Sequence, residues 1–182
     1  SDVCSSDLKA QYHSYEVMNQ HVSFLFTSLL TDDCIARGKA LLDGGVRYLG
    51  GTNETYGNIN TSDSLWVIRD LVFNQKKYTL RQLNDAMLAN FNGYEALRKD
   101  CLNCDKYGND LETADTMAND LYEFVAKGVR DRGIAIGMQY FLIVISNNQL
   151  NTEWGNRTAA SPDGRLSCMY MNPANNPQGG AN

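Results

Sequence analysis

Gly137-Met138-Gln139-Tyr140-Phe141-Leu142-Ile143-Val144-Ile145-Ser146 is the stretch on which the fold turns. From Tyr140 to Ile145 every residue is aromatic, β-branched or leucine, which in so short a run predicts a strand. The run does not alternate with polar residues, so burial on both faces is expected. A strand so placed needs neighbours for its backbone donors and acceptors. The remaining chain offers few strand candidates, so its partners are expected on polypeptide outside these 182 residues. The run is also far too short to cross a bilayer.

Outward from this strand the pattern turns helical. Tyr15, Met18, Val22, Leu25, Phe26 and Leu29 recur at three- and four-residue steps and predict a helix from about Ala10 to Leu30. Thr31-Asp32-Asp33 supplies capping oxygens for a second helix, Cys34 to Leu42, which Gly44-Gly45 ends. Residues 46–60, rich in Gly, Asn and Thr, read as loop. Thr61 or Ser62 caps the next helix, with Leu65, Ile68, Leu71 and Val72 inward and Lys76-Lys77 at its end. Thr79 caps a helix through Asn90 with Leu80, Leu83, Met87 and Leu88 inward. A short helix runs from Glu95 toward Leu102, residues 106–110 form a polar turn, and a longer helix covers Glu112 to Arg130. Everything after Asn147 reads as loop. The fold class expected is α/β, mostly helical with one or few buried strands.

Composition narrows the function. Apolar residues make up 43% of the chain and charged residues 20%, values that fit a packed domain and not a disordered segment. A net charge of −5, without a basic run, argues against nucleic-acid or anionic-membrane partners. The first residues have neither the basic nor the apolar region of a signal peptide. Five cysteines at irregular spacing do not form a disulfide framework, so a reducing cytoplasm is expected.

Individual motifs carry little chemistry by themselves. Cys101-x-x-Cys104 has the spacing of a zinc or redox pair, but no second pair or nearby His completes a zinc site. It also lies at a helix end, whereas a redox pair opens a helix after a strand. Two ordinary thiols are the reading preferred. His13 and His21 could share a helix face, yet no further ligand accompanies them, so no metal is expected. Gly44-Gly45 and Gly50-Gly51 lack the Lys and Ser/Thr of a phosphate loop and read as turns. Ser161-Pro162-Asp163-Gly164 is a strong turn signal. Arg165 after it reads as a clamp on the loop in preference to an anion site.

Taken in order, several stretches resemble the pyruvate formate-lyase-like glycyl radical enzymes. They are Cys34-Ile35-Ala36-Arg37-Gly38-Lys39 with Gly44-Gly45-Val46-Arg47-Tyr48, Asp63-Ser64-Leu65-Trp66-Val67-Ile68, and Asn90-Phe91-Asn92-Gly93-Tyr94-Glu95. Lys106-Tyr107-Gly108-Asn109-Asp110 follows, then Thr158-Ala159-Ala160-Ser161-Pro162-Asp163-Gly164-Arg165, and last Asn176-Pro177-Gln178-Gly179-Gly180. The resemblance implies that the chain is a fragment of a ten-stranded α/β barrel built from two antiparallel halves and wrapped by helices. It further implies a glycyl radical on a carboxyl-terminal loop, installed by an iron–sulfur, S-adenosylmethionine-dependent activating enzyme. A cysteine thiyl radical then attacks a small-molecule substrate, and the full-length protein is a homodimer. No cofactor is expected bound to this chain itself.

Neither radical centre matches a position here. Cys34, Cys101, Cys104 and Cys168 lack the context of the family's cysteine, and the glycyl loop is absent, so no catalytic residue is assigned. Met169, Tyr170, Met171, Asn172 and Pro173, which follow the Pro-Asp-Gly-Arg turn, are the expected substrate-binding residues. The stretch from Cys34 to Tyr48 looks more like dehydratase and decarboxylase members than like the enzyme acting on pyruvate. A lyase or dehydratase breaking C–C, C–O or C–N bonds is therefore the first reading. Formate C-acetyltransferase proper is the alternative within the family, and a non-catalytic helical binding module is the alternative outside it.

Ser1-Asp2-Val3-Cys4-Ser5-Ser6-Asp7-Leu8 resembles translated sequencing-adapter read-through, so residues 1–9 are taken as a non-native leader. Residues 10–182 are taken as part of a domain truncated on both sides. Expressed alone, such a piece is expected to associate or to be poorly soluble.

Overall fold

A computed structural model of the chain describes residues 3–22, 24–145 and 150–177. Ser1 and Asp2 of the expected leader, Ser146 of the expected strand and Gln178-Gly179-Gly180 of the last quoted stretch lie outside the described residues. In chain order the elements are α1 (Val3–His21), α2 (Leu25–Leu29), α3 (Cys34–Arg37), a kinked turn (Leu41–Gly45) and β1 (Gly50–Thr55). Then come α4 (Asn58–Val67), which runs on as a wider π-type coil (Ile68–Asn74), α5 (Leu80–Leu88) and α6 (Glu95–Asn103). The last three are α7 (Glu112–Ala135), β2 (Tyr140–Ile145) and α8 (Leu150–Asn156). No helix among the described residues is long and apolar enough to cross a membrane. The chain divides into two compact units, residues 1–53 with 125–144 and residues 54–124 with 145–182.

In the first unit β2 forms where expected, but its neighbour is a surprise. Gly50–Thr55, inside the expected loop, pairs with β2 in a parallel two-stranded sheet, so one partner strand is supplied by this chain. Glycines weaken a strand by propensity. Here their missing side chains are what the pairing requires. A Cβ on Gly50 would come within 2.3 Å of the Tyr140 ring, and one on Gly51 within 2.5 Å of the Phe141 ring. Within this chain Tyr140 is 44% and Leu142 56% exposed while Phe141 is half-buried. The helix α1 lies against β1, donating from Gln11 Nε2 to Thr52 O (3.1 Å) and from Tyr15 Oη to Gly50 O (3.2 Å). It begins at Val3 and buries Leu8, both within the stretch set aside as leader. The single helix expected to Leu30 breaks after His21, and Phe24 takes a left-handed conformation before α2. Asp33 is also left-handed and makes no side-chain cap on α3.

The second unit is built around Val67, Leu71, Leu83, Ala86, Phe91, Leu97 and Cys101. Helix α4 starts three residues before the expected cap, after Gly57 in the left-handed region. Thr61 and Ser62 therefore sit inside it and donate back to the carbonyls of Gly57 and Ile59. Its buried stripe runs through Trp66 and Val67, whereas Leu65 is exposed. The start of α5 is as expected. Thr79 Oγ1 accepts from Gln82 N (3.2 Å) while Gln82 Oε1 accepts from Thr79 N (2.9 Å), a reciprocal capping box. On α5 Leu83 and Ala86 are buried, but Leu80 and Leu88 point to solvent. Lys77 does not serve the preceding helix end, since its Nζ pairs with Asp100 at 2.7 Å. Helix α8 replaces part of the final expected loop.

Candidate functional site

Within the second unit, the stretches quoted above converge on one turn. Asn60, Asp63 and Ser64 of α4 lie at i, i+3 and i+4 and so share a helix face. Each is buried and each engages a distant segment. Asn60 Nδ2 donates to Asp163 Oδ2 (2.8 Å), and Asn60 Oδ1 accepts from Asn172 N (2.7 Å). Asp63 Oδ1 accepts from Tyr107 N (3.0 Å), and Ser64 Oγ accepts from Asp163 N (3.3 Å). Asn90 Oδ1 accepts from Ser167 N (2.7 Å). A helix face of this kind is unusual for a buried position, and its polar atoms are tolerated because they are partnered.

Asp163 is 1% exposed and is held by neutral donors: Asn60, the Ser161 hydroxyl (2.5 Å) and the Arg165 N–H (3.3 Å). The residue after it must be glycine. Gly164 has φ of 93°, and a Cβ there would come within 2.7 Å of Leu102. Arg98 Nε donates to the Gly164 carbonyl (2.9 Å), joining α6 to the turn.

Arg165 closes the loop on itself, as the clamp reading expects. Its Nη1 donates to the carbonyls of Leu166 (3.2 Å) and Met169 (2.8 Å), its Nη2 to Ala159 O and its Nε to Ser161 Oγ (3.2 Å). A planar fork with several donors suits this task as an ammonium does not.

Beside the turn lies a cavity of about 330 Å³ lined by Asn60, Arg98, Lys106, Arg165, Tyr170 and Asn172 among others. Of the five residues expected to bind substrate, Met169, Tyr170 and Asn172 line this cavity. Met171 lines a neighbouring hollow with Tyr56 and Gly57, and Pro173 is half-buried without lining either. Asn172 is buried, whereas Met169 and Tyr170 are 46% and 59% exposed.

Sequence reasoning missed Lys106, placed in a polar turn but only 6% exposed. Its Nζ donates to the carbonyls of Cys101 (2.6 Å) and Cys104 (3.2 Å) at the end of α6, where unpaired carbonyls attract a cation. It also missed Asn60. The signal available was Asn60-x-x-Asp63-Ser64, a polar trio at helical spacing.

The cysteine pair and the two histidines are the remaining candidates. Burial pushes the Cys101 thiol up to about 12 and the Cys104 thiol up to about 11, which suits inert packing groups. His13 and His21 are exposed, and no metal-binding group of three ligands occurs among the described residues.

Known proteins share this arrangement of elements. The pyruvate formate lyase-like family model matches residues 3–150. Trans-4-hydroxy-L-proline dehydratase of Clostridioides difficile is 32% identical over 162 residues, 88% of this chain and 20% of that protein. The 4-hydroxyphenylacetate decarboxylase glycyl radical subunit of Clostridioides difficile (strain 630) is 28% identical over 166 residues, 79% of this chain and 18% of that protein. The crystal structure of the Clostridioides difficile hydroxyproline dehydratase with trans-4-hydroxy-L-proline bound superposes with a TM-score of 0.83 at 28% identity, over 91% of this chain and 21% of that one. The chain thus spans about a fifth of the length of the relatives it matches.

Proposed function

This chain belongs to the pyruvate formate-lyase-like family of glycyl radical enzymes, and from that premise we propose that it forms part of a longer lyase or dehydratase acting on a small molecule by radical chemistry. The observation that carries the reading is the family match over most of the chain, joined to relatives that are themselves a dehydratase and a decarboxylase. Those names favour the dehydratase and decarboxylase branch over the enzyme acting on pyruvate.

On this reading β2 is one strand of a ten-stranded barrel, and the turn at Asp163 holds a loop near its active-site end. A glycyl radical elsewhere in the polypeptide generates a cysteine thiyl radical, which removes hydrogen from the carbon beside the leaving group. The radical is installed by a separate S-adenosylmethionine-dependent activating enzyme, and the complete protein works as a homodimer in the cytoplasm. The residues of this chain position substrate and supply neither radical. Met169, Tyr170 and Asn172 line the substrate cavity, and Met171 and Pro173 belong to the same substrate-binding loop. Positioning of this kind is what turns binding into reactive geometry.

The test is electron-spin resonance on the complete polypeptide after anaerobic activation. A doublet from the glycyl α-hydrogen, lost in air together with chain cleavage, is expected. A complete reading frame that yields no such signal with its activating enzyme would overturn the proposal. Tyr170→Ala should raise KM by about tenfold, and an unchanged KM and kcat would remove Tyr170 from the cavity lining.

A further inference from the structure

Resting on the reading that this cavity serves the substrate, we propose that it selects a molecule bearing an oxyanion, a carboxylate or sulfonate, through Arg98 and Lys106. The cavity wall carries three cations, Arg98, Lys106 and Arg165, against one carboxylate, Asp163. That balance runs opposite to the chain, whose net charge is −5. Asp163 offsets one of them and leaves the wall net positive. Its oxygens are taken by the Asn60 amide, the Ser161 hydroxyl and the Arg165 backbone N–H. None of the three cations forms a salt bridge among the described residues.

The donors are also unspent where it matters. Arg98 uses only Nε, on the Gly164 carbonyl, so both terminal nitrogens of its fork lack an acceptor among the described residues. Two free, coplanar N–H groups match a carboxylate or sulfonate edge. Lys106 has three donors and spends two on carbonyls, leaving one. At 6% exposure this ammonium has lost most of its water, and with no ion pair among the described residues the two helix-end carbonyls repay only part of the desolvation cost. An oxyanion between Arg98 and Lys106 removes that cost. Arg165 contributes charge from behind, its fork being occupied by the loop it clamps. The Asn172 side-chain amide nitrogen is engaged by the Asn176 carbonyl.

The experiment titrates the complete, unactivated polypeptide by calorimetry with acetate and methanesulfonate, each beside a neutral counterpart, acetamide and dimethyl sulfone. At least one anion should bind tenfold or more tightly than its neutral counterpart. Arg98→Met should weaken the anion tenfold or more and leave the neutral compound unaffected, while Arg98→Lys should retain part of the preference. Preference for acetate marks a carboxylate substrate, and preference for methanesulfonate marks a sulfonate. Equal binding of charged and neutral probes to the wild type, or no binding of either anion, would overturn the inference without recourse to any variant. A wild type that gives the radical doublet but shows no charge preference sinks this inference alone. One that gives no doublet sinks the reading beneath it.

Discussion

Asn60 and Asp163, separated by 103 positions in the chain, meet side chain to side chain at 2.8 Å in a buried site. The same amide takes the N–H of Asn172 on its other end, so one residue ties α4 to both sides of the Pro-Asp-Gly-Arg turn. Asn60→Ala should leave Asp163 and the Asn172 N–H each short of a partner, at about 1–3 kcal/mol for each orphaned group. Chemical denaturation of the complete polypeptide checks this. A midpoint within error of the wild type would show that the two bonds are dispensable.

Arg165→Lys tests the clamp. An ammonium cannot reach the carbonyls of Ala159, Leu166 and Met169 together with Ser161. Hydrogen exchange of backbone amides across residues 166–171 should speed by about tenfold or more, with α5 and α6 unchanged. Unaltered exchange in the loop would contradict the assignment.

Thiol labelling should separate the cysteines. Cys168 is exposed, whereas Cys101 and Cys104 are held up to about 12 and 11 chiefly by desolvation. Near pH 8 iodoacetamide should modify Cys168 and spare Cys101 and Cys104 until the protein unfolds, as read by mass spectrometry. Rapid labelling of Cys101 in the native protein would restore the redox reading of this pair.

Tyr78 and Asp100 make stability depend on pH at both extremes. The hydrogen bond from Tyr78 Oη to Asp100 Oδ2 (2.5 Å), aided by desolvation, pushes the phenol up to about 12 from its ordinary 10.0. The folded state thus holds the phenolic proton more tightly than the unfolded chain. That stabilisation is complete below pH 10 and is lost as pH rises toward 12. Asp100 is shifted the other way, first by Lys77 and then by Tyr78, from 3.8 downward. Its contribution is present above that value and fades as pH falls through the lowered pKa. Tyr78→Phe should flatten the alkaline limb of the melting temperature between pH 10 and 12. An identical alkaline fall in the variant would refute this origin.

Local chemistry was legible in the residues themselves. The aromatic and β-branched run at Tyr140–Ile145 made a strand, and Thr79 with Gln82 made a cap, because both depend on neighbours a few positions away. The family stretches were legible for the same reason, since each is a short word whose order survives in one dimension. Arg165 was readable as a clamp because the carbonyls it holds lie within six residues of it.

What tertiary structure alone decided was pairing over long separations. Gly50-Gly51 has no strand propensity, and only the rings of Tyr140 and Phe141, some ninety positions away, make its lack of side chains an advantage. The exposure of Leu65, Leu80 and Leu88 could not be read from periodicity, because apolar spacing says which residues share a face and not which face meets a neighbour. Asn60 reads as a loop residue, and Asp63 and Ser64 as ordinary polar helix residues, until Tyr107, Asp163 and Asn172 arrive to satisfy them. Propensity and capping act within a few residues, whereas burial and charge in a cavity belong to whatever the folded chain brings alongside.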